Sequence, residues 1–396
     1  MSGWSIIPLW KLASANNEVL SESTDPDFSF EYVDISAVTQ GKISEDLERV
    51  AFGTAPSRAR RIAREGDVIM STVRTYLRAV APVGPDLAHP RIYSTGFAVL
   101  RPRPGRTDAR YLGYRLVAND FMDKVEANAV GVSYPAITAH DIMHLRLRVP
   151  ELPVQQQIAA YLDRETATID ALIEKQRRLV DGLQRRRRGL LDEVWLRAQD
   201  VGARQRLKWH LRPSSETAPP GEEVLSVYRD HGVVPKSSRT DNFNRTPENV
   251  ERYLWVRAGD VVVNKMKAWQ GSIAVSHHQG LVSPDYEVLR PTNQAFDLRF
   301  LHYLLRCPRM IAEYRTQSVG IRPAQWRLYW DRLGLIDVPV PALGDQREIA
   351  DHLDRETTKI DALIARAERF IELVQERRAA LITAAVTGQI EIPTED

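Results

Sequence analysis

The sequence predicts a mixed α/β (α+β) protein with a pseudo-twofold repeat, in which two similar globular modules are separated by two long antiparallel coiled-coil helices. The main observation is that residues 162–166 (LDRET) and 169–173 (IDALI) return letter for letter at 353–357 and 360–364. The period of 191 residues is far too long for a solenoid. It indicates two copies of one unit, each a variable globular part followed by a shared long helix.

A weaker similarity links the two globular parts. Residues 66–68 (GDV) correspond to 259–261, and residues 97–102 (FAVLRP) correspond to 286–291 (YEVLRP). Framework positions repeat while the residues between them differ. This is what we expect of two recognition modules that share a fold and differ in specificity.

Local patterns predict the same element order in both modules: two short strands, then a helix. In the first module the predicted bounds are 68–73, 97–100 and 111–130, with a stop at Gly131. In the second module they are 260–264, 286–289 and 298–316. The chain thus divides into module 1 (residues 1–150), a helical region (151–200), module 2 (201–340) and a second helical region (341–396).

The two helical regions predict long helices that begin near Pro153 and Leu343. Their apolar residues keep the three- and four-residue spacing of a coiled-coil seam. The predicted seam of the first helix comprises Leu172, Gln176, Leu179, Leu183, Arg186 and Leu190. That of the second comprises Leu363, Ala367, Phe370, Val374, Arg377 and Leu381. The alternative is that each helix buries its apolar stripe on its own module.

Composition narrows the class of protein. A chain of 396 residues fits two domains plus helices. No apolar run is long enough for a membrane span, and the N-terminus lacks the pattern of a secretory signal. The single cysteine, Cys307, excludes an internal disulfide, so we expect a reducing cytoplasm. Because the net charge is only +2, any DNA-binding surface must come from local clustering of charge.

Catalytic motifs are missing from the sequence. It contains no phosphate-binding loop and no glycine-rich dinucleotide fingerprint. Residues 283–286 (SPDY) match the catalytic tetrapeptide of amino-methyltransferases only faintly, and the histidines lack metal-ligand spacing. We therefore predict no catalytic residue, no metal and no cofactor of its own. Two large modules without such machinery suggest recognition on behalf of another subunit.

The repeated helices carry a resemblance to a known family. Together with residues 381–390 (LITAAVTGQI) and 264–271 (NKMKAWQG), they make the chain similar, over essentially its whole length, to the DNA specificity subunit of type I restriction–modification enzymes. Residues 70–76 depart from the family pattern because they lack the glycine that commonly follows this strand.

This resemblance implies a function and partners. In that family two target recognition domains each read one half of a bipartite, asymmetric site in double-stranded DNA. The helices set their separation and carry two methyltransferase subunits, which bind S-adenosylmethionine and modify adenine. Restriction motor-nuclease subunits complete the complex. The specificity subunit itself would then be non-catalytic.

Candidate DNA-binding residues lie in corresponding loops, where Arg suits guanine and Gln or Asn suits adenine. In module 1 they are Arg74, Tyr76, Arg78, Ser133 and Tyr134. In module 2 they are Asn264, Lys265, Lys267, Trp269, Gln270, Arg322 and Gln325. The alternative for each residue is an ordinary solvated loop position. A cluster of Arg58, Arg60, Arg61 and Arg64 fits phosphate contacts and fits a charged surface face at least as well. Arginines 185–188 of the first long helix are expected to face solvent or a partner subunit rather than DNA.

A rival interpretation from another class is a coiled-coil interaction scaffold without sequence-specific DNA reading. It accounts for the long helices and leaves the two matched modules, with their basic and aromatic loops, unexplained. A self-sufficient DNA-modifying enzyme fits less well because no cofactor motif is visible.

Overall fold

The computed structural model describes residues 3–85, 89–217, 222–229, 231–238, 250–322 and 325–393. The chain forms two compact units that do not follow its linear order: residues 1–176 with 369–396, and residues 177–368. Each unit therefore combines one module with the start of the helix that follows it and the end of the other helix. The division into four segments that we made from the sequence remains a prediction of the domain boundaries.

Module 1 is built from short strands that pair mainly antiparallel. They are β1 (Trp4–Pro8), β2 (Ala13–Ala15), β3 (Ser29–Val33), β4 (Val38–Thr39), β5 (Lys42–Ile43), β6 (Glu48–Ala51), β7 (Ala59–Ile62), β8 (Val68–Ser71), β9 (Val80–Pro82), β10 (Arg91–Ser94), β11 (Phe97–Pro102) and β12 (Arg146–Pro150). One sheet has the order β2-β11-β8-β9 and another β6-β3-β10-β7, while β1 pairs with β12 and β4 with β5. Strands β8 and β11 confirm the two predicted strands.

The helices of module 1 correct one prediction. They are α1 (Ala109–Val117), α2 (Asn119–Ala127) and α3 (Ala139–His144). The single helix expected over 111–130 is broken at Ala118, whose ψ of 142° is extended. Arg115 is buried and donates to both carboxylate oxygens of Asp120 at 2.8 and 2.7 Å, so this ion pair spans the break. The apolar periodicity continues across the break, which is why the sequence suggested one helix.

The first long helix, α4 (Leu152–Val201), leads into module 2, which repeats the strand arrangement. Its strands are β13 (Ala203–Arg206), β14 (Leu211–Pro213), β15 (Leu225–Tyr228), β16 (Gly232–Pro235), β17 (Leu254–Val256), β18 (Val261–Asn264), β19 (Ile273–Val275), β20 (Gly280–Val282), β21 (Tyr286–Pro291) and β22 (Asp337–Val340). The sheet β14-β21-β18-β19 matches β2-β11-β8-β9 of module 1. The pair β13–β22 likewise matches β1–β12.

The helices of module 2 are α5 (Leu298–Arg306), α6 (Pro308–Gln317) and α7 (Trp330–Leu333), followed by the long helix α8 (Leu343–Thr387). The single helix expected over 298–316 is broken at Cys307, as its counterpart is at Ala118. Here Pro308 disfavours a helical conformation for the preceding residue, and Cys307 is extended with ψ 151°. Helices α4 and α8 begin within one residue of the predicted starts. Within the described ranges no helix combines the length and apolarity needed to cross a membrane.

Equivalent ion pairs join the two long helices in each unit. In the first unit Arg378 of α8 donates to Asp170 of α4 at 2.9 Å, and in the second Arg187 of α4 donates to Asp361 of α8 at 2.7 Å. Both members of the second pair lie 191 residues from their counterparts. The helices run antiparallel, because in the second unit His352, earlier in α8 than Asp361, lies 3.6 Å from Glu193, later in α4 than Arg187. The predicted fold class is thereby confirmed.

The predicted seam is partly wrong in its register. Leu172, Leu179, Leu363 and Phe370 are 38 to 51% exposed. The neighbouring positions are buried or half-buried in their place, with the same register in both helices. They are Ile173, Val180 and Arg187 in α4, and Ile364, Ile371 and Arg378 in α8. The other predicted positions are buried or half-buried as expected: Gln176, Leu183 and Leu190 in α4, and Ala367, Val374 and Leu381 in α8. Each helix has adjacent apolar residues about 100° apart around its axis, and spacing alone does not choose between the two series.

Candidate nucleic-acid interface

A repeated ion-pair network fixes the central strands of each module. In module 1 Arg101 donates to the buried Asp67 at 2.8 Å and to Glu18, which also pairs with Arg64. Hydrogen bonds from Arg101 and Arg64 lower the pKa of Glu18. The carboxylate of Asp67 also accepts from the backbone N–H of Arg64 at 2.9 Å. The network therefore links the turn before β8 to β11, at the strands that lead into the candidate loops.

Module 2 contains the same network. Arg290 donates to the buried Asp260 at 3.1 Å and to Glu216 at 2.8 Å, and Glu216 also pairs with Arg257. Hydrogen bonds from Arg290 and Arg257 lower the pKa of Glu216. The two modules therefore share this ion-pair network, in which each residue has the same type of partner in both modules.

A buried glutamine ties each module to the helix that follows it. Gln155 of α4 accepts from the backbone N–H of Asp108 at 3.1 Å and donates to the carbonyl of Pro150 at 2.9 Å. Gln346 of α8 does the same with Asp297 and Pro341, at 2.8 Å in each case. These bonds fix the module and the beginning of the helix as one body within each unit.

A tyrosine strengthens each of these attachments. Tyr114 donates to Asp163 at 2.8 Å, and Tyr303 donates to Asp354 at 2.6 Å. Burial raises the pKa of both tyrosines to about 12, so both remain protonated donors at neutral pH.

Two loops of module 1 meet beyond the end of β8. We call residues 72–78 its strand-end loop and residues 130–136 its glycine loop. The backbone N–H of Ile137, directly after the glycine loop, donates to the carbonyl of Thr72 at 2.9 Å. The guanidinium of Arg74 lies 5.3 Å from the ring centroid of Tyr134. The structure thus brings the two predicted groups of module 1 residues together.

The candidate residues of module 1 differ in how free they are. Arg74, Tyr76, Ser133 and Tyr134 are exposed. Arg78 instead donates to Glu126 and to Asp123, each at 2.6 Å. Its charge is therefore paired within the module, and Arg78 is not among the DNA contacts that we propose.

The corresponding loops of module 2 also meet. They are the strand-end loop at residues 264–271 and the glycine loop at residues 319–327, of which 323–324 lie outside the described residues. The backbone N–H of Leu328 donates to the carbonyl of Lys265 at 2.9 Å. The rings of Trp269 and Trp326 pack edge-to-face with centroids 5.5 Å apart.

The candidates of module 2 fall into two groups. Asn264, Lys265 and Trp269 are half-buried and shape the strand-end loop: Asn264 accepts from the N–H of Met266, Lys265 donates to the carbonyl of Pro284, and Trp269 donates to the carbonyl of Met266. The exposed group comprises Lys267, Gln270, Arg322 and Gln325. It offers one ammonium, one guanidinium and two amides, which are the groups that recognise base edges and phosphates.

The sequence analysis missed an apolar residue at the tip of each glycine loop. Val132 and Ile321 have relative exposures of 102% and 95%. Each follows a glycine with positive φ, Gly131 at 118° and Gly320 at 157°. A Cβ on Gly320 would lie 2.7 Å from the carbonyl oxygen of Gln325, so this turn requires glycine. The shared Val-Gly-Val and Val-Gly-Ile triplets were the available signal, and such side chains suit contact with thymine methyl groups.

The fold and these loops define a class of protein: two related modules, each presenting a paired set of exposed polar loops, joined to two long helices. Residues 59–180 match the family described as the type I restriction modification DNA specificity domain. This match agrees with the resemblance that the sequence predicted.

Two curated relatives are specificity subunits. The chain is 25% identical over 175 residues to the type I restriction enzyme EcoBI specificity subunit of Escherichia coli, covering 44% of this chain and 35% of that protein. It is 23% identical over 180 residues to the EcoKI specificity subunit of Escherichia coli strain K12, covering 43% and 37%. The matched region thus spans little more than a third of each relative.

A solved structure matches the fold over nearly the whole chain. Its title is "Structural basis underlying complex assembly and conformational transition of the type I R-M system". The TM-score is 0.65 with 23% sequence identity, and the match covers 98% of this chain and 99% of that one. At this identity the likeness establishes the fold.

Proposed function

We propose that this chain is the DNA specificity subunit of a type I restriction–modification complex, in which each module reads one half of a bipartite site in double-stranded DNA. The observation that carries the proposal is the repeated meeting of a strand-end loop and a glycine loop on a matched framework, with different exposed side chains in the two modules. Two readers of one fold and different surface chemistry suit two different half-sites.

The proposed contacts use the exposed members of the loops. In module 1 they are Arg74, Tyr76, Ser133 and Tyr134, and in module 2 they are Lys267, Gln270, Arg322 and Gln325. Arg can donate two bonds to guanine, and Gln can both donate to and accept from adenine. Asn264, Lys265 and Trp269 hold the strand-end loop of module 2 in shape.

We further propose that the chain itself catalyses nothing. Two methyltransferase subunits would supply adenine modification and would bind S-adenosylmethionine, and restriction motor-nuclease subunits would complete the complex. A cytoplasmic location fits these roles.

The exposed apolar residues of the long helices are the proposed docking points for the methyltransferases. Leu172 and Leu179 of α4 correspond in register to Leu363 and Phe370 of α8. Equivalent exposed positions on two equivalent helices suit two copies of one partner.

Methylome sequencing of cells that express the chain with its methyltransferase partner tests the DNA-reading proposal. We expect methylated adenines within one bipartite, asymmetric sequence whose two specified parts are separated by unspecified bases. Complex formation without any sequence preference would support the scaffold interpretation and contradict ours.

A substitution tests the docking proposal separately. Leu363→Asp should leave the free energy of unfolding within about 0.5 kcal/mol, because the side chain is exposed, and should reduce recovery of methyltransferase with the tagged chain. Arg369→Asp, six residues along the same helix and on another side of it, is the matched control. Equal recovery of methyltransferase with both variants would exclude this surface.

A further inference from the structure

A cleft of about 320 Å³ lies in module 1 beside its two loops. Its lining includes Thr72 and Val73 of the strand-end loop, Ala136 of the glycine loop and the following Ile137. Four further polar residues line it: Asn16, Arg61, Thr95 and Thr138. Any DNA strand that lies against the loops would therefore pass close to this cleft.

The polar groups that remain free in the cleft can all donate hydrogen bonds. Arg61 makes no ion pair or side-chain hydrogen bond within the described parts of the chain, and its buried Nε atom has no partner. The amide oxygen of Asn16 accepts from the N–H of Val99 at 3.0 Å, which leaves its NH₂ group to donate. The hydroxyl of Thr95 has no partner among the described residues, whereas Thr72 and Thr138 already donate to Gly96 and Asp141.

No carboxylate lines this cleft in the described structure. The carboxylate of Asp141 accepts from the lining residue Thr138, and those of Glu18 and Asp67 are held by Arg64 and Arg101. Burial lowers the pKa of the Arg61 guanidinium below its ordinary value, and the group still remains charged at neutral pH. A partly buried positive charge beside an amide NH₂ group and a hydroxyl that can donate favours an anionic ligand.

Module 2 has different residues at all three matching positions, and the arginine is absent from them. Strand pairing sets Arg61 opposite Tyr93 in module 1 and Leu254 opposite Val282 in module 2. Isolated bridges agree, since Val19 pairs with Arg61 and Thr217 with Leu254. Leu254 therefore replaces Arg61. By the same alignment Ser214 replaces Asn16 and Pro284 replaces Thr95.

We propose that the Arg61 cleft binds a backbone phosphate of the duplex and anchors module 1 on DNA without reading sequence, a contact that module 2 does not make. The inference rests on the proposed DNA-reading function and adds that the two modules contribute differently to DNA binding. Phosphate contacts fix the position of a protein on the duplex, while base contacts select the sequence. Module 1 then contributes more of the salt-dependent affinity than its loops alone would.

The test uses the full chain assembled with its methyltransferase partner and a fluorescent duplex that carries its methylated sequence. Arg61→Leu installs the residue that module 2 has at this place. We expect it to weaken binding roughly three- to tenfold at low salt and to reduce the slope of log K against log salt by about 0.9, the value for one phosphate. The methylated sequence should stay the same. Arg60→Leu is the matched control: it removes the neighbouring charge, which stacks on Phe52 and does not line the cleft.

An unchanged salt slope for Arg61→Leu, or an equal change for both variants, would overturn the proposal. A second measurement separates this failure from failure of the DNA-reading function. Inorganic phosphate should raise the Tm of the wild-type chain more than that of Arg61→Leu, because a ligand that binds the folded state stabilises it. If the wild-type complex shows no sequence preference and the phosphate response still depends on Arg61, the anion site is supported and the proposed DNA-reading function is contradicted. Equal phosphate responses of both proteins would refute the site.

Discussion

In module 1 the two loops meet through the guanidinium of Arg74 over the ring of Tyr134, and in module 2 they meet through the edge-to-face pair of Trp269 and Trp326. Beneath these different contacts the supporting networks are the same, with Arg101 and Asp67 in one module and Arg290 and Asp260 in the other. The framework is buried and ion-paired, while the proposed reading residues are exposed. Exposed loop residues can therefore change without unfolding the module.

Removing the central arginine of either framework should have the largest effect. Arg101→Ala removes the guanidinium that pairs with the buried Asp67, and Arg290→Ala removes the one that pairs with Asp260. Loss of one partner from a buried ion pair costs about 3–5 kcal/mol. We expect similar losses in the free energy of unfolding for both variants, measured by denaturant unfolding followed by circular dichroism.

The outer arginines provide the matched controls. Arg64 and Arg257 belong to the same networks, but their side chains are 68% and 54% exposed, so Arg64→Ala and Arg257→Ala should be much less destabilising. A large loss in the free energy of unfolding for Arg101→Ala and a small loss for Arg290→Ala would show that the two frameworks are not equivalent.

Substitutions in the strand-end loops should affect one half of the recognised DNA site at a time. Gln270→Ala should cost about 1–3 kcal/mol in binding at bases of the half read by module 2, if Gln270 contacts a base edge. Arg74→Ala should act in the same way on the other half only. Binding to duplexes with single base changes in each half measures this.

Arg78→Ala is the control for the loops of module 1. Because Arg78 is paired with Asp123 and Glu126, its loss should lower stability and leave the recognised sequence unchanged. A relaxed sequence preference for Arg78→Ala, or an effect of Gln270→Ala on both halves, would contradict this assignment.

A histidine present in one module only predicts a difference in pH dependence. His302 of module 2 corresponds to Gly113 of module 1 in the matched segments FLHY and YLGY. Burial, and next the charge of Arg306, lowers the pKa of His302 to about 3 from its ordinary 6.5. Between these values the unfolded chain binds a proton that the folded unit does not, so stability rises with pH in this window.

The expected contribution is up to about 1.4 kcal/mol per pH unit below pH 6.5, and it should be confined to the unit that contains module 2. Unfolding of each unit can be followed at pH 7 and pH 5, with His302→Gln as the variant that removes the titration. If the wild-type chain and His302→Gln lose the same stability on acidification, His302 is not the cause.

The sequence was sufficient for the repeat, the two modules and the long helices, because identical letters at a fixed offset need no knowledge of tertiary contacts. It also assigned the candidate residues of each module to two loops, and the structure brings these loops together. It did not predict the helix break at Ala118, because apolar spacing continues across it. The break at Cys307 was missed for the same reason, although the following Pro308 was an available signal.

The sequence analysis also failed where burial depends on the partner segment. Leu172 and Ile173 are equally apolar neighbours, and only packing of the second helix decides which one is buried. Arg74 and Arg78 are likewise the same residue type in one loop. Carboxylates of α2, some 45 residues away in sequence, engage Arg78 and leave Arg74 exposed.

Exchange of one module tests most directly the claim that the two modules read DNA independently. Residues 1–150 would be replaced by the corresponding module of a relative with a different site, and the methylome of cells that also express the methyltransferase would be sequenced. Our account predicts that one half of the methylated sequence changes and the other half stays the same. Changes in both halves, or in neither, would contradict it.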